Sequence, residues 1–239
     1  MRKLLKFILK KIINFSDRPF NFDGQKVVLL CNGPSLNDVD FSRVTVPMVG
    51  LNKIHLKEDV RDRLSFVVAV NKLVVRQLCK SFEARKYHRC TPVFIPSHRM
   101  IAKLFLRKSL LLNVENSINF ASRGNSFGVG STVTYVALQL IYRFNASAVY
   151  VVGMDHNFDQ SGRHNEKQLL EGTDSNHFDP NYFANMKWQL ADLPSSEKSY
   201  FRAKEEYELA GKKIYLVGQS KYNGWERLSL EAFYREVNE

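Results

Sequence analysis

The chain has 239 residues, 44% hydrophobic and 25% charged, which is the make-up of a folded globular protein and excludes a disordered one. No apolar run reaches the ~18 residues that a transmembrane helix requires. The three cysteines (Cys31, Cys79, Cys90) have no zinc spacing and leave one unpaired, so a reducing compartment is expected, and the net charge of +11 sits disproportionately at the start of the chain.

Residues 1–18 hold six basic side chains (Arg2, Lys3, Lys6, Lys10, Lys11, Arg18) against the single acid Asp17. Leu4, Leu5, Ile8, Ile12 and Phe15 recur roughly at helical spacing, with the lysines largely on the other side. The pattern predicts a basic amphipathic helix over 1–20, which can lie in an anionic membrane surface or pack on its own domain. It has neither the uninterrupted apolar stretch nor the small-residue cleavage site of a secretory signal. The expected location is therefore cytoplasmic, and peripheral on the inner membrane face if the helix meets lipid. Nucleic acid is not an expected partner, because no aromatic–basic interleaving or RNA-module motif is present.

Residues 21–239 read as a single domain. Apolar, β-branched runs at 26–31 (KVVLLC), 46–51 (VPMVGL), 64–70 (LSFVVAV), 92–96 (PVFIP), 148–153 (AVYVVG) and 213–217 (KIYLV) predict strands. Helical patterns cover 72–84, 131–144 and 197–210, and a loop or lid is expected at about 156–196. Strands that are apolar without alternation are buried on both faces, which is the mark of a parallel sheet covered by helices. The fold class is α/β, Rossmann-like and doubly wound, with a mostly parallel sheet, helices on both faces and a nucleotide site at the strand carboxyl ends.

Residues just beyond each strand are thus the candidates for ligand contact. After the first strand come Asn32, Gly33, Pro34 and Ser35, where glycine allows close approach and Ser35 can cap a helix whose amides face a phosphate. The same residues can equally be a capped turn closing a βα unit. Asn52 and Asn71 follow the second and third strands, and a carboxamide that both donates and accepts suits ribose hydroxyls or a pyrimidine edge. Gly130, Ser131 and Thr132 open a helix and combine free amides with side-chain donors, although neither a Walker A nor a dinucleotide fingerprint is present. The strand ending in Gly153 leads into Asp155 and His156, then a polar stretch with His164 and His177. No metal-ligand spacing occurs among them, so no metal is expected, and a loop histidine acting as general base is the more natural use.

Taken in order, CNGPSL at 31–36, Asn52, Asn71, the Gly-Ser-Thr helix start at 130–132 and VYVVGMD at 149–155 resemble the bacterial lipooligosaccharide sialyltransferases. The stretch GSTVTYVALQLIYRFNASAVYVVGMDHNF with the later HFDPNYF is similar to a related bacterial family. That family includes the motility-accessory-factor glycosyltransferases and domains like the archaeal 6-hydroxymethylpterin pyrophosphokinase. The resemblance spans about residues 26 to 235.

The resemblance implies a Rossmann-like glycosyltransferase that uses a CMP-activated ulosonate donor, no further cofactor, and a glycan, lipid-linked glycan or glycoprotein acceptor. Asn32, Gly33 and Ser35 would meet the donor phosphate and ribose, with Asn52 and Asn71 also lining the pocket. Gly130, Ser131 and Thr132 would hold the cytidine or the sugar carboxylate. His177 matches, by order along the chain, the sialyltransferase general base. His164 resembles the histidine after Gly-x-Asp in the flagellin-modifying relatives, so the base lies between these two. The sialyltransferases place two tyrosines after Gly-x-Asp for the departing phosphate, whereas His156-Asn157-Phe158 stands here. His156 is accordingly counted with the donor-binding candidates, and a protonated histidine or Arg123 with the groups that can stabilise phosphate charge. Asp155 would orient a histidine, bind a sugar hydroxyl, or simply cap its turn. Two other functions fit the same residues: a magnesium- and ATP-dependent diphosphotransferase using Asp155 and Asp159, and a non-catalytic nucleotide-binding module.

Overall fold

A computed structural model describes residues 21–83, 91–94, 110–122 and 126–239. The expected basic helix at 1–20, Cys90 and Arg123 lie outside the described residues. The strands are β1 (Lys26–Leu30), β2 (Met48–Leu51), β3 (Leu64–Ala69), β4 (Thr91–Phe94), β5 (Leu110–Leu111), β6 (Asn113–Glu115), β7 (Ser126–Gly128), β8 (Ala148–Val152), β9 (Lys167–Leu170), β10 (Met186–Gln189), β11 (Lys213–Val217) and β12 (Glu226–Leu228). The helices are α1 (Glu58–Arg61), α2 (Lys72–Glu83), α3 (Val133–Arg143), α4 (Leu193–Leu209) and α5 (Leu230–Asn238).

Eight strands form one parallel sheet in the order β12-β11-β8-β1-β2-β3-β4-β5. Alternate residues of each central strand enter separate cores. Val28, Leu30, Val67 and Val152 pack with Val74, Val75 and Leu78 of α2 and with Phe233 and Val237 of α5. Val27, Leu29, Phe66, Val68 and Val151 pack with Val136, Leu140 and Ile141 of α3 and with Tyr200, Ala203 and Tyr207 of α4. Burial on both faces is why these strands read as unbroken apolar runs. The Rossmann-like α/β class is the observed one.

Three expectations change in detail. The helix anticipated from 131 begins at Val133, because Gly130 and Ser131 have left-handed φ of +56° and +61° and Thr132 is the extended N-cap. Helix α4 starts at Leu193, four residues earlier than the periodicity suggests, since Asp192 accepts from the Ser195 amide and Pro194 occupies the first turn. The segment expected as a loop at 156–196 carries the antiparallel pair β9 and β10, with Lys187 opposite Leu169. Helix α5, capped by Ser229 on the Ala232 amide, has no counterpart among the predicted elements.

The connectivity decides where a ligand can bind. From β1 the chain steps outward through β2, β3, β4 and β5, then returns to the opposite side of β1 with β8. The strand order reverses there, and a crevice opens beyond the carboxyl ends of β1 and β8.

Candidate active site

The crevice is a cavity of about 610 Å³, within the ~300–1,000 Å³ range of small-molecule sites. Asn32, Asn52, Asn71, Thr132, His156 and His177 are among the residues that line it. Four of the seven non-glycine residues with left-handed φ among the described residues (Asn52, Ser131, His156 and Asn165) are also on its wall. Such strain concentrates where surrounding structure holds a functional surface in shape.

The two strand ends are locked together by close backbone contact. The Gly33 amide donates to the Gly153 carbonyl at 2.8 Å, and the Ser35 amide donates to Asp155 Oδ2 at 3.0 Å. A Cβ on Gly33 would lie 2.1 Å from Asp155 Oδ2, so only glycine admits the aspartate. Asp155 therefore holds the turn after β1, and the structure does not tie it to a histidine. Its carboxylate also occupies the Ser35 amide that was expected to face a phosphate. Ser35 caps no helix: the N-cap of the short 3-10 turn Pro34–Asp38 is Gly33, and Ser35 is not on the cavity wall.

Asn32 is buried, 8% exposed, and its carbonyl accepts from the Phe178 amide at 2.9 Å, which fastens the segment around His177 to the end of β1. Its side-chain Oδ1 is buried on the cavity wall with no hydrogen-bond partner. Leaving such an acceptor unpaired costs ~1–3 kcal/mol, a cost that a ligand donor would relieve. Asn71 is on the cavity wall, and each end of its carboxamide already makes one hydrogen bond. Oδ1 accepts from the Leu73 amide at 2.8 Å, and Nδ2 donates to Gln189 Oε1 at 3.1 Å, joining the start of α2 to β10.

Thr132 caps α3 by accepting from the Thr134 amide, and its Oγ1 lies 3.3 Å from the Tyr200 hydroxyl. Ser131 is exposed on the cavity wall. Gly130 is not on the wall; it packs beneath, where an added Cβ would meet Tyr135 Cδ1 at 2.4 Å and its carbonyl accepts from Ser199 Oγ at 2.8 Å. Cys31 lines the cavity, but burial pushes its thiol up to about 12, so it is an apolar wall residue at neutral pH.

The structure separates the two candidate bases. His164 is exposed, lies off the cavity wall, and has Nδ1 3.5 Å from Asp192 Oδ1. His177 is on the wall, with Nδ1 2.8 Å from Asp174 Oδ2. Asp174 is 4% exposed, and its carboxylate also accepts from the Asn176 and Phe183 amides. An ionised carboxylate only accepts, so Nδ1 of His177 carries the proton and Nε2 is left with a lone pair. The ring stacks on Tyr182 with centroids 4.1 Å apart and planes 5° apart, and it meets Phe183 edge-on. Under this stack lies Lys53, 5% exposed, whose ammonium donates to the Tyr182 carbonyl while its amide donates to the Tyr182 hydroxyl. Burial lowers Lys53 to about 8, partly offset by Asp174 and Asp179.

Asp174, Lys53 and Glu197, none of them on the cavity wall, are the supporting residues that sequence reading passes over. Asp174 carried a local signal, an acid three residues before a histidine in a polar run. Glu197 carried none, being 41 positions from its partner: its Oε1 lies 2.9 Å from His156 Nε2.

No protein-family model matches the chain, and no curated protein matches it. Among solved structures, the MAf glycosyltransferase of Magnetospirillum magneticum AMB-1 superposes with a TM-score of 0.58 at 11% identity, over 90% of this chain. The chain spans 35% of that protein's length. The sialyltransferase CstII of Campylobacter jejuni with cytidine-5'-monophosphate gives 0.48 at 15% identity, over 80% of this chain and 79% of that one. CST-II with a trisaccharide acceptor and CMP gives 0.47 at 13% identity, over 80% of each chain. With its switch-point crevice, this chain thus has the Rossmann-like fold that the MAf glycosyltransferase also carries.

Proposed function

We propose that the chain is a glycosyltransferase that moves a sialic-acid-like or other ulosonate sugar from a CMP-activated donor to a bacterial glycan, lipid-linked glycan or glycoprotein, with His177 as general base and no metal ion in the reaction. The observation that carries this reading is the His177–Asp174 pair on the wall of the switch-point cavity. Nε2 of that histidine has no partner among the described residues, so it can take the proton of an acceptor hydroxyl as the new glycosidic bond forms. The unpaired Oδ1 of Asn32 is suited to a ribose hydroxyl or a cytosine amino group. The shared fold with a MAf glycosyltransferase supports the same class of reaction. The diphosphotransferase reading is weaker, because Asp159, one of its two carboxylates, is not on the cavity wall, and Oδ2 of the other, Asp155, already accepts from the Ser35 amide.

Thermal stabilisation by CMP, CTP, ATP and GDP, with and without magnesium, tests the reading. A ligand at 100 times its Kd adds about 2.7 kcal/mol, so selective stabilisation by CMP without magnesium is the expected result. Stabilisation by ATP only with magnesium would favour diphosphotransfer.

The reading includes peripheral attachment through residues 1–18. Among the described residues no helix is long and apolar enough to cross a membrane. Removing residues 1–17 should reduce co-sedimentation with anionic liposomes and leave activity on a soluble acceptor largely unchanged. An insoluble or unfolded truncation would mean that the stretch belongs to the core.

A further inference from the structure

A second cavity, of about 340 Å³, lies behind the aromatic stack that carries His177. Lys53 and His55 after β2, Leu73 and Arg76 of α2, and Tyr182 and Met186 are among the residues that line it. Leu73 also lines the larger cavity, and His177 on the larger wall stacks on Tyr182 on the smaller one, so this stack is the partition between the two. No aspartate or glutamate is on the smaller wall. Lys53 is its buried cation. The ammonium donates to one oxygen, the Tyr182 carbonyl, and otherwise meets the Met186 sulfur at 3.6 Å and the Phe183 ring at 4.4 Å. An ammonium has three donors, so two of them have no oxygen acceptor among the described residues, although Asp174 and Asp179 favour its charge from a distance. Burial lowers Lys53 to about 8, which leaves it mostly protonated at pH 7. A cation taken out of water with so few partners is costly, and an anion arriving in the cavity offsets that cost.

We propose that the smaller cavity is a second ligand site, which takes an amphipathic monocarboxylate and passes its presence to His177 through Tyr182. The carboxylate would sit on the Lys53 ammonium and the apolar part against Leu56, Leu73 and Met186. One negative charge matches one buried cation. A phosphate dianion would bring a second charge into a largely apolar wall, where only Arg76, exposed and screened by solvent, would meet it. The basic stretch at 1–18 carries the wrong charge for this wall. A cavity of ~150 Å³ holds one benzene ring, so 340 Å³ suits a molecule of about ten heavy atoms. Residue 53 holds Tyr182 twice, by its amide to the hydroxyl at 3.1 Å and by its ammonium to the carbonyl. A carboxylate that shares the ammonium weakens the second hold, and the Tyr182 ring on which His177 rests responds. The inference is independent of which reaction the larger cavity performs.

Calorimetric titration at pH 7 with octanoate, octan-1-ol and octyl phosphate isolates the charge. The intact protein should bind octanoate about tenfold more tightly than octan-1-ol, since a charge-assisted hydrogen bond is roughly twice as strong as a neutral one. It should also bind octanoate more tightly than octyl phosphate. Lys53→Met, which keeps an apolar side chain of similar length, should bring octanoate and octan-1-ol together, whereas Arg76→Ala should leave the preference in place. Nuclear Overhauser contacts from the octanoate chain to the methyl groups of Leu56, Leu73 and Met186 should locate it in the intact protein without any substitution. The His177 ring resonances should shift as the cavity fills. The proposal is overturned by equal binding of octanoate and octan-1-ol, by binding of neither, or by octyl phosphate binding as tightly as octanoate. A preference that survives Lys53→Met or disappears in Arg76→Ala, contacts to other residues, or unmoved His177 resonances would overturn it equally.

Discussion

His177 and His156 each give one ring nitrogen to a carboxylate, at 2.8 and 2.9 Å, yet the two carboxylates live in different surroundings. The side chain of Asp174 is 1% exposed and accepts from two backbone amides besides the imidazole. Glu197 is 53% exposed and has no other hydrogen bond of this kind among the described residues. A buried carboxylate held by three donors cannot rotate or exchange with water, so it dictates which nitrogen of His177 is protonated. A half-exposed carboxylate balances charge without imposing the same rigidity. One face of the crevice therefore holds its histidine in a fixed orientation, whereas the carboxylate partner of the other histidine stays open to solvent.

The largest expected effect breaks the comparison on the His177 side. His177→Ala should lower kcat by roughly 10²–10⁴-fold while CMP affinity barely changes, because a base touches the acceptor rather than the nucleotide. Asp174→Asn should also lower kcat, since the amide no longer enforces the proton on Nδ1. His164→Ala, exposed and off the cavity wall, is the control; were it to carry the kinetic loss in place of His177→Ala, the roles would be exchanged.

A second effect sharpens what supports that side. Burial holds Lys53 at about 8 in the folded protein, against about 10.4 for a lysine in the unfolded chain. Between those values the unfolded state binds the extra proton, so stability rises with pH; below about 8 both states are protonated and the burial penalty is constant. Urea unfolding at pH 7 and pH 10 should show the stability of the intact protein relative to Lys53→Met shifting in favour of the intact protein. The upper limit is about 1.4 kcal/mol per pH unit across that window. A pH-independent difference would remove the depressed lysine from the account.

The smallest effect concerns Asn32, on the same cavity wall as the two histidines. Asn32→Ala should weaken CMP by roughly three- to tenfold, the worth of one neutral hydrogen bond of ~0.5–1.5 kcal/mol. The fold should remain intact, since the hydrogen bond to Phe178 uses the Asn32 backbone carbonyl. Unaltered CMP affinity by calorimetry would take Asn32 out of the site.

Much of this molecule was legible residue by residue. Valine-rich strands such as 26–30 and 148–152 announce burial on both faces, because β-branched side chains suit a covered sheet, and that burial implies a parallel α/β fold. The turns at Asn32-Gly33 and Gly153-Asp155 were readable as strand ends, and with them one part of the crevice wall. Short elements escaped: β9 and β10 are four residues each and half-exposed, so their pairing depends on each other rather than on a local pattern. The partners of the polar groups escaped for the same reason. Which carboxylate reaches His156, that Asp155 spends itself on Ser35, that Gly130 packs beneath the wall, and that His177 rather than His164 faces the cavity all depend on strand order and on helix α4 lying beside α3. Hydrophobic pattern is local and survives in the sequence as periodicity, whereas a hydrogen bond between residues 41 positions apart exists only after the sheet has brought its strand ends together.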